Sequence, residues 1–219
     1  MSDTPIDVFI DLPSFPGPVQ AGRLWSHFRK GRESASFEYN KEWLANPHRF
    51  ALEPLLPLAD GTFHTNPGQS VFGAIGDSTP DRWGRILMRR AELARARTAN
   101  ESPHTLSELD YLLRVNDEAR QGALRFSQDG GQSFCAPPGS TPIPPLVNLS
   151  RLLHAADHFC RDDENAEDLR LLLAPGSSLG GARPKASVKD KKGNLCIAKF
   201  PRYDDEYNVC LLYTSDAAD

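Results

Sequence analysis

Between Ala174 and Pro201 the chain reads APGSSLGGARPKASVKDKKGNLCIAKFP, a run of small residues followed by two lysine-bearing segments. Gly176, Ser177, Ser178, Gly180 and Gly181 carry so little side chain that successive backbone N–H groups can close around phosphate oxygens. Lys185–Lys189 reads as a strand, Lys192-Gly193-Asn194 as a turn, and Leu195–Lys199 as a second strand. Lys199 ends the apolar run Leu195-Cys196-Ile197-Ala198, where it would set one fixed positive charge beside those phosphates. The chemistry on offer is the binding of a phosphorylated small molecule.

Commoner phosphate motifs do not fit. A P-loop needs a Gly-Lys pair followed by Ser or Thr, and Pro184-Lys185-Ala186 stands there instead. No glycines around 176–181 have the dinucleotide GxGxxG spacing, and no long helix follows. A glycine-rich loop, a hairpin and then a strand lysine is the order in which protein-kinase-type ATP sites begin. A flexible linker feeding an ordinary hairpin satisfies the same spacing.

Composition bounds what such a site can belong to. The 219 residues are 39% hydrophobic with a net charge of −4, which suits one or two soluble globular domains with a real core. With no excess of basic charge, a general nucleic-acid groove is not expected. No apolar run approaches membrane-spanning length, and MSDTPIDVFI lacks the basic region of a signal peptide. Cys135, Cys160, Cys196 and Cys210 are scattered, without a CxxC pair or a histidine at ligand spacing, and read as buried free thiols in a reducing cytoplasm. No metal site is expected from them.

The elements that must carry the loop fall into an α+β pattern. Ile6–Leu12 alternates apolar and polar residues, Gly22–Arg29 follows a Pro-Gly-Pro turn, and Ser34–Tyr39 alternates again; together they predict a small antiparallel sheet. Trp43 to Pro47 predicts a helical turn stopped by proline, and Leu52–Leu58 a packed loop. A helix is expected from Asp77 or Ser78 as cap, with Pro80 in its first turn and Trp83, Ile86, Leu87, Arg90 and Leu93 at helical spacing. A second runs from about Thr105 to Leu113, with Thr105 or Ser107 as cap and Glu108 in its first turn; a short strand covers Gln121–Phe126, and Gly130–Pro145 reads as an exposed linker or surface loop. Helices over about Leu149–Cys160 and Ala166–Leu173 lead into the glycine-rich loop.

Three segments together resemble the HipA-type serine/threonine kinases of bacterial toxin–antitoxin systems. FGAIGDSTPDRWGRILMRRAE (Phe72–Glu92) looks like that family's Asp-Ser-x-Pro-Asp-x-Trp-Gly-Arg segment. DYLLRVNDEARQGALRF (Asp110–Phe126) looks like its Tyr-Leu-Leu … Arg-x-Gly-Ala-Leu-Arg-Phe segment. Ser177–Lys185 and Ile197–Pro201 look like its Gly-Gly-Ala-x-Pro-Lys loop and Lys-Phe-Pro strand. The resemblance runs from Phe37 to Val209 and rests on the order and spacing of all three.

It implies a β-rich N-terminal subdomain with helices (1–130), a Pro/Gly-rich loop or linker (131–147) and the start of a protein-kinase-like N-lobe (148–209). The implied ATP contacts are Gly180, Gly181, Ala182, Arg183, Lys185 and Lys199, with Lys185 reading equally as an exposed structural charge; Ser178 is the implied serine whose autophosphorylation shuts off ATP binding. Mg²⁺ is the implied metal. The implied partners are a helix-turn-helix antitoxin, which alone would touch DNA, and a protein substrate of the aminoacyl-tRNA synthetase class; no membrane is involved. A kinase also needs an aspartate for the attacking hydroxyl and Asn and Asp for the metal. In the family these lie well beyond the strand lysine, and Asp204-Asp205-Glu206 reads as the solvated start of the next element. The last ten residues, CLLYTSDAAD, read as a translated transposase sequencing adapter, so the natural sequence is expected to stop near Val209. The expectation is thus a kinase whose piece here is inactive; the alternative is a non-catalytic module that docks an antitoxin.

The remaining signals have structural explanations. Trp83 reads as core, and Asp77, Asp81 and Arg82 as capping and surface pairing. Gly122, after Arg120-Gln121, reads as a backbone requirement of a turn. His154 and His158 stand at i, i+4 but lack a third ligand, and Arg85–Arg97 is the best basic patch for an acidic partner.

Overall fold

The computed structural model describes residues 5–136, 142–176, 181–202 and 205. In chain order the elements are β1 (Ile6–Ile10), β2 (Val19–Arg29), β3 (Arg32–Tyr39), α1 (Lys41–Ala45), β4 (Thr62–His64), α2 (Gly73–Gly76), α3 (Arg82–Ala99), α4 (Glu108–Leu113), β5 (Leu124–Ser127), α5 (Leu149–Cys160), α6 (Ala166–Gly176), β6 (Lys185–Lys189) and β7 (Leu195–Lys199). The fold is α+β, as expected. Contacts gather the chain into two compact units, Met1–Thr79 with Leu106–Ala136 and Pro80–Thr105 with Pro137–Asp219. The chain therefore enters each unit twice, and α3 packs with the later helices rather than with the strands that precede it.

The first unit is built on a five-stranded antiparallel sheet in the order β4-β3-β2-β1-β5. Its inner face packs Ile6, Val8, Ile10, Leu24, Phe37, Tyr39 and Phe126 against Trp43, Leu56, Phe72 and Leu112. Burying these side chains, each worth about 1.5–3 kcal/mol, is the main source of the unit's stability. Tyr39 ties the intervening loop down: its hydroxyl donates to the Leu56 carbonyl at 2.7 Å and accepts from Leu52 N–H at 3.0 Å. Leu52–Leu58 is accordingly a loop packed at Leu56, as expected, and at the half-buried Leu52, while Leu55 and Leu58 are exposed.

β1 differs from the half-exposed strand that its alternation predicts, because all five residues are buried. Its second face is covered by the start of the segment expected to be an exposed linker. Phe134 meets the Phe9 ring edge-on with centroids 5.4 Å apart, and the Arg125 guanidinium lies 3.7 Å from the Phe134 ring centroid. Asp7, on that same face, is compensated by Gln20 Nε2 at 2.6 Å and Arg23 Nε at 2.9 Å. A buried carboxylate without such donors would be strongly unfavourable.

The two internal helix starts also refine the expectation. Ser107 caps α4 through a reciprocal capping box with Asp110, and Glu33 accepts from Glu108 N–H at 2.8 Å and Leu109 N–H at 3.1 Å. The cap of α3 is Asp81, not Asp77 or Ser78. Residues 77–79 instead close the short α2, with Ser78 N–H on Ile75 O and Thr79 N–H on Gly76 O. Pro80 then disfavours a helical conformation at Thr79, so the long helix starts only beyond it.

The second unit packs α3, α5 and α6 around Trp83, Leu87, Leu152, Phe159, Leu169 and Leu172, with Ala186, Val188 and Phe200 from the hairpin side. Trp83 is thus core, as its helical spacing predicts. α6 continues past Leu173 through Pro175 to Gly176 because Ala174, Pro175 and Gly176 are all buried. A Cβ on Gly176 would lie 2.7 Å from Leu87 Cδ1 and 3.1 Å from Trp83 Nε1, so only glycine allows α6 to end this close to α3. Arg90 donates to both Glu164 oxygens (2.6 and 2.8 Å) and to Asp162; Arg95 bridges Glu92 and Glu101, both at 2.8 Å. Two arginines of the anticipated basic patch are therefore committed to this chain's own carboxylates. Among the described residues no helix is long and apolar enough to cross a membrane.

Arg120 is the buried charge on which the first unit closes. Its guanidinium donates to Ser78 O (3.0 Å), Leu112 O (3.0 Å) and Val115 O (3.1 Å) and lies 4.8 Å from the Phe126 ring centroid. Burial pulls its pKa down to about 10, and it stays protonated at neutral pH. Arg120→Met strands three buried carbonyls, and we expect it to cost about 3 kcal/mol or more. Urea unfolding would read this as a lowered midpoint; a loss below about 1 kcal/mol would show that the carbonyls find other donors.

Candidate functional site

The lysines of the glycine-rich segment are brought together by the hairpin register. β6 and β7 pair antiparallel with Lys185 opposite Lys199, Ser187 opposite Ile197 and Lys189 opposite Leu195. The register is fixed at the turn, where the Asp190 carboxylate accepts from Lys192 N–H (2.8 Å), Asn194 N–H (2.9 Å) and Asn194 Nδ2 (3.0 Å). These hydrogen bonds, Asn194's first, hold the Asp190 pKa below its usual value. At the open end Phe200 N–H donates to Pro184 O at 2.9 Å, and Phe200 is buried.

Like charges placed directly opposite on neighbouring strands destabilise the pair. The Lys185 ammonium shows the consequence: burial lowers its pKa, Lys199 lowers it further, and Asp81 acts against both. The alternation of β7 puts Leu195 and Ile197 on the same face as Lys199, and both are about half exposed (48% and 55%). Two cations beside exposed aliphatic side chains can hold a ligand with an anionic end and a flat apolar end. Cys196 is exposed, not buried as expected, because β7 has no outer neighbour among the described residues.

The start of α3 fixes the end of the loop. Trp83 N–H donates to Gly181 O at 3.0 Å, and the Trp83 indole N–H donates to Lys185 O at 2.9 Å. Gly181 N–H donates to Asp81 Oδ2 at 2.7 Å. Gly181 has φ +80°, where a side chain is strained, and a Cβ there would lie 2.9 Å from Lys185 Nζ. Asp81, Gly181 and Lys185 therefore form one cluster.

Ala182 and Arg183 are exposed beyond it. Arg183 Nη1 meets Asp205 Oδ2 at 2.6 Å, and that carboxylate also accepts from Arg202 N–H at 2.9 Å. The Arg183 bond is the largest cause of the lowered Asp205 pKa. Asp205 is thus a partner of the loop and not part of a merely solvated acidic run. Ser178 and Gly180 lie outside the described residues. Asp81 and Trp83 are loop partners that the sequence does not reveal, because nothing in their own spacing points to residues about a hundred positions later.

Among the described residues no group of three or more His, Cys, Asp or Glu side chains converges as a metal site. His158 Nδ1 lies 3.0 Å from Asp168 Oδ2, and the His158 ring stands beside that of His154, centroids 4.5 Å apart. The bond to Asp168 raises the His158 pKa.

A family model described as the HipA N-terminal domain matches residues 17–127. The chain belongs to the HipA family. The match takes in most of the sheet, Arg120 and all of α3, so the Asp81 and Trp83 that meet the glycine-rich loop stand inside the HipA segment. The loop and hairpin follow it in sequence. No curated protein matches the chain.

Trp83→Phe keeps the ring that packs edge-on against Phe159, centroids 5.0 Å apart, but removes the donor to Lys185 O. We expect a loss of about 1 kcal/mol, with faster hydrogen exchange at the β6–β7 amides. Unchanged exchange there would mean that the indole bond does not hold the hairpin.

Proposed function

We propose that this HipA-family chain carries the nucleotide-holding part of a protein serine/threonine kinase that transfers the γ-phosphoryl of ATP to a protein serine. The observation that carries the reading is the Lys185–Lys199 cross-strand pair, with Gly181 beside one lysine and exposed Ile197 beside the other. Two lysines facing one another across a hairpin can bind one anion together, and a triphosphate is an anion of suitable size and charge. Ile197 and Leu195 offer the apolar surface that a nucleobase needs. The lysines hold and orient the phosphates; the positive field they supply also neutralises charge that grows on a transferring phosphoryl group.

Among the described residues no group of three or more His, Cys, Asp or Glu side chains converges to hold the Mg²⁺ implied by the resemblance; the phosphate contacts proposed for this part of the chain are the loop backbone, Arg183 and the two lysines. In the same reading Gly180, Ala182 and Arg183 line the loop, and Ser178 is the autophosphorylated serine. Phosphorylation would bring roughly two negative charges into a loop that otherwise receives those of ATP, and the two would compete for the same donors. The proposed setting is a cytoplasmic toxin–antitoxin pair. Its antitoxin would be a helix-turn-helix protein through which alone DNA is reached, and its target a protein such as an aminoacyl-tRNA synthetase.

Lys199→Ala should weaken ATP binding by about tenfold or more, which corresponds to about 1.4 kcal/mol, as read by equilibrium dialysis or calorimetry. Unchanged affinity removes Lys199 from the site. Ser178→Asp should also depress ATP affinity; if it binds ATP as the unaltered chain does, the self-inhibition by Ser178 is wrong.

A further inference from the structure

Asp81 behaves unlike an ordinary helix cap. It precedes α3, an eighteen-residue helix, yet its side chain makes no capping bond to that helix. Its carboxylate turns instead to Gly181 N–H at 2.7 Å, and among the described residues that is the carboxylate's one hydrogen bond. A hydrogen bond from a backbone N–H to an ionised oxygen is of the stronger kind. The carboxylate also acts electrostatically on Lys185, whose Nζ lies 2.9 Å from the position a Gly181 Cβ would take.

The backbone around this contact does not depend on it. Gly181 O is held by Trp83 N–H and Lys185 O by the Trp83 indole, so the loop end stays attached to α3 if the Asp81 side chain swings away. Rotation about one side-chain bond frees a loop N–H. An incoming phosphate would seek that N–H together with Lys185 and carries the same sign of charge as the carboxylate. The two anions exclude one another.

We propose that Asp81 is an internal stand-in for a nucleotide phosphate. It occupies the Gly181 N–H until a polyphosphate displaces it, and so sets how tightly the loop holds nucleotide. This rests on the nucleotide reading above. It assigns to a residue of the HipA segment control over a loop about a hundred positions further along.

The test is calorimetric titration of the chain and of its Asp81→Asn and Asp81→Ala variants with ATP, tripolyphosphate and adenosine. Asp81→Asn keeps the size and an acceptor oxygen but loses the charge, and since Asp81 gives α3 no capping bond the variant is expected to fold. Both variants should bind ATP and tripolyphosphate about tenfold more tightly, with adenosine unaffected. Polyphosphate affinity that is unchanged or weaker in Asp81→Asn overturns the stand-in role and leaves the nucleotide reading in place. Tightening of adenosine to the same degree also overturns it, since the gain would then not come from phosphate. If neither the chain nor a variant binds ATP or tripolyphosphate, the nucleotide reading fails and this inference with it.

Discussion

Two hydrogen bonds from one residue hold the candidate site to the rest of its unit. Trp83 donates its backbone N–H to Gly181 O and its indole N–H to Lys185 O, while its ring is packed among Leu87, Phe159 and Leu172. A loop rich in small residues has little apolar surface of its own with which to offset its ordering entropy. Here the described end of the loop, at Gly181, is fixed by the first turn of a long helix whose position is set by a buried core. Gly176 extends the same logic, since its missing Cβ lets α6 end against Leu87 and Trp83. The lysine pair is held where it is by this arrangement and by the Asp190 turn at the other end of the hairpin.

The charges around the site are arranged in opposition. Lys185 faces Lys199 across the hairpin, Asp81 partly offsets Lys185, and Arg183 is bound to Asp205. The lysine pair thereby gathers positive charge at the border of the exposed aliphatic side chains of β7. The first unit solves its own electrostatic problem differently. Arg120 is buried on carbonyl groups and an aromatic face, and Asp7 is buried on Gln20 and Arg23.

Local chemistry was legible in the sequence where local chemistry decides the structure. The hairpin strands, α5, the short helix before Pro47 and the turn at Gly122 (φ +84°) agree with their alternation, periodicity and turn residues. What escaped depends on distant partners. The β1 strand is covered on its second face by Phe134, about 120 positions on; α6 passes through Pro175 because α3 buries its last turn; β4 is only three residues long and carries no pattern. In the site, the two strands and the turn that set Lys185 opposite Lys199 were legible from alternation and turn residues, and the glycines and lysines pointed to phosphate binding, the reading on which the proposed function rests. The role of Asp81 was not legible, since an aspartate before a helix has a sufficient explanation as a cap.

Whether the β6–β7 hairpin and the end of the glycine-rich loop hold a nucleotide is read most directly from backbone amide NMR signals followed while ATP is added to the chain. Saturable shifts are expected at Gly181, Lys185, Ile197 and Lys199, with the five-stranded sheet unperturbed. Shifts confined to that sheet, or none at millimolar ATP, would contradict nucleotide binding by the hairpin.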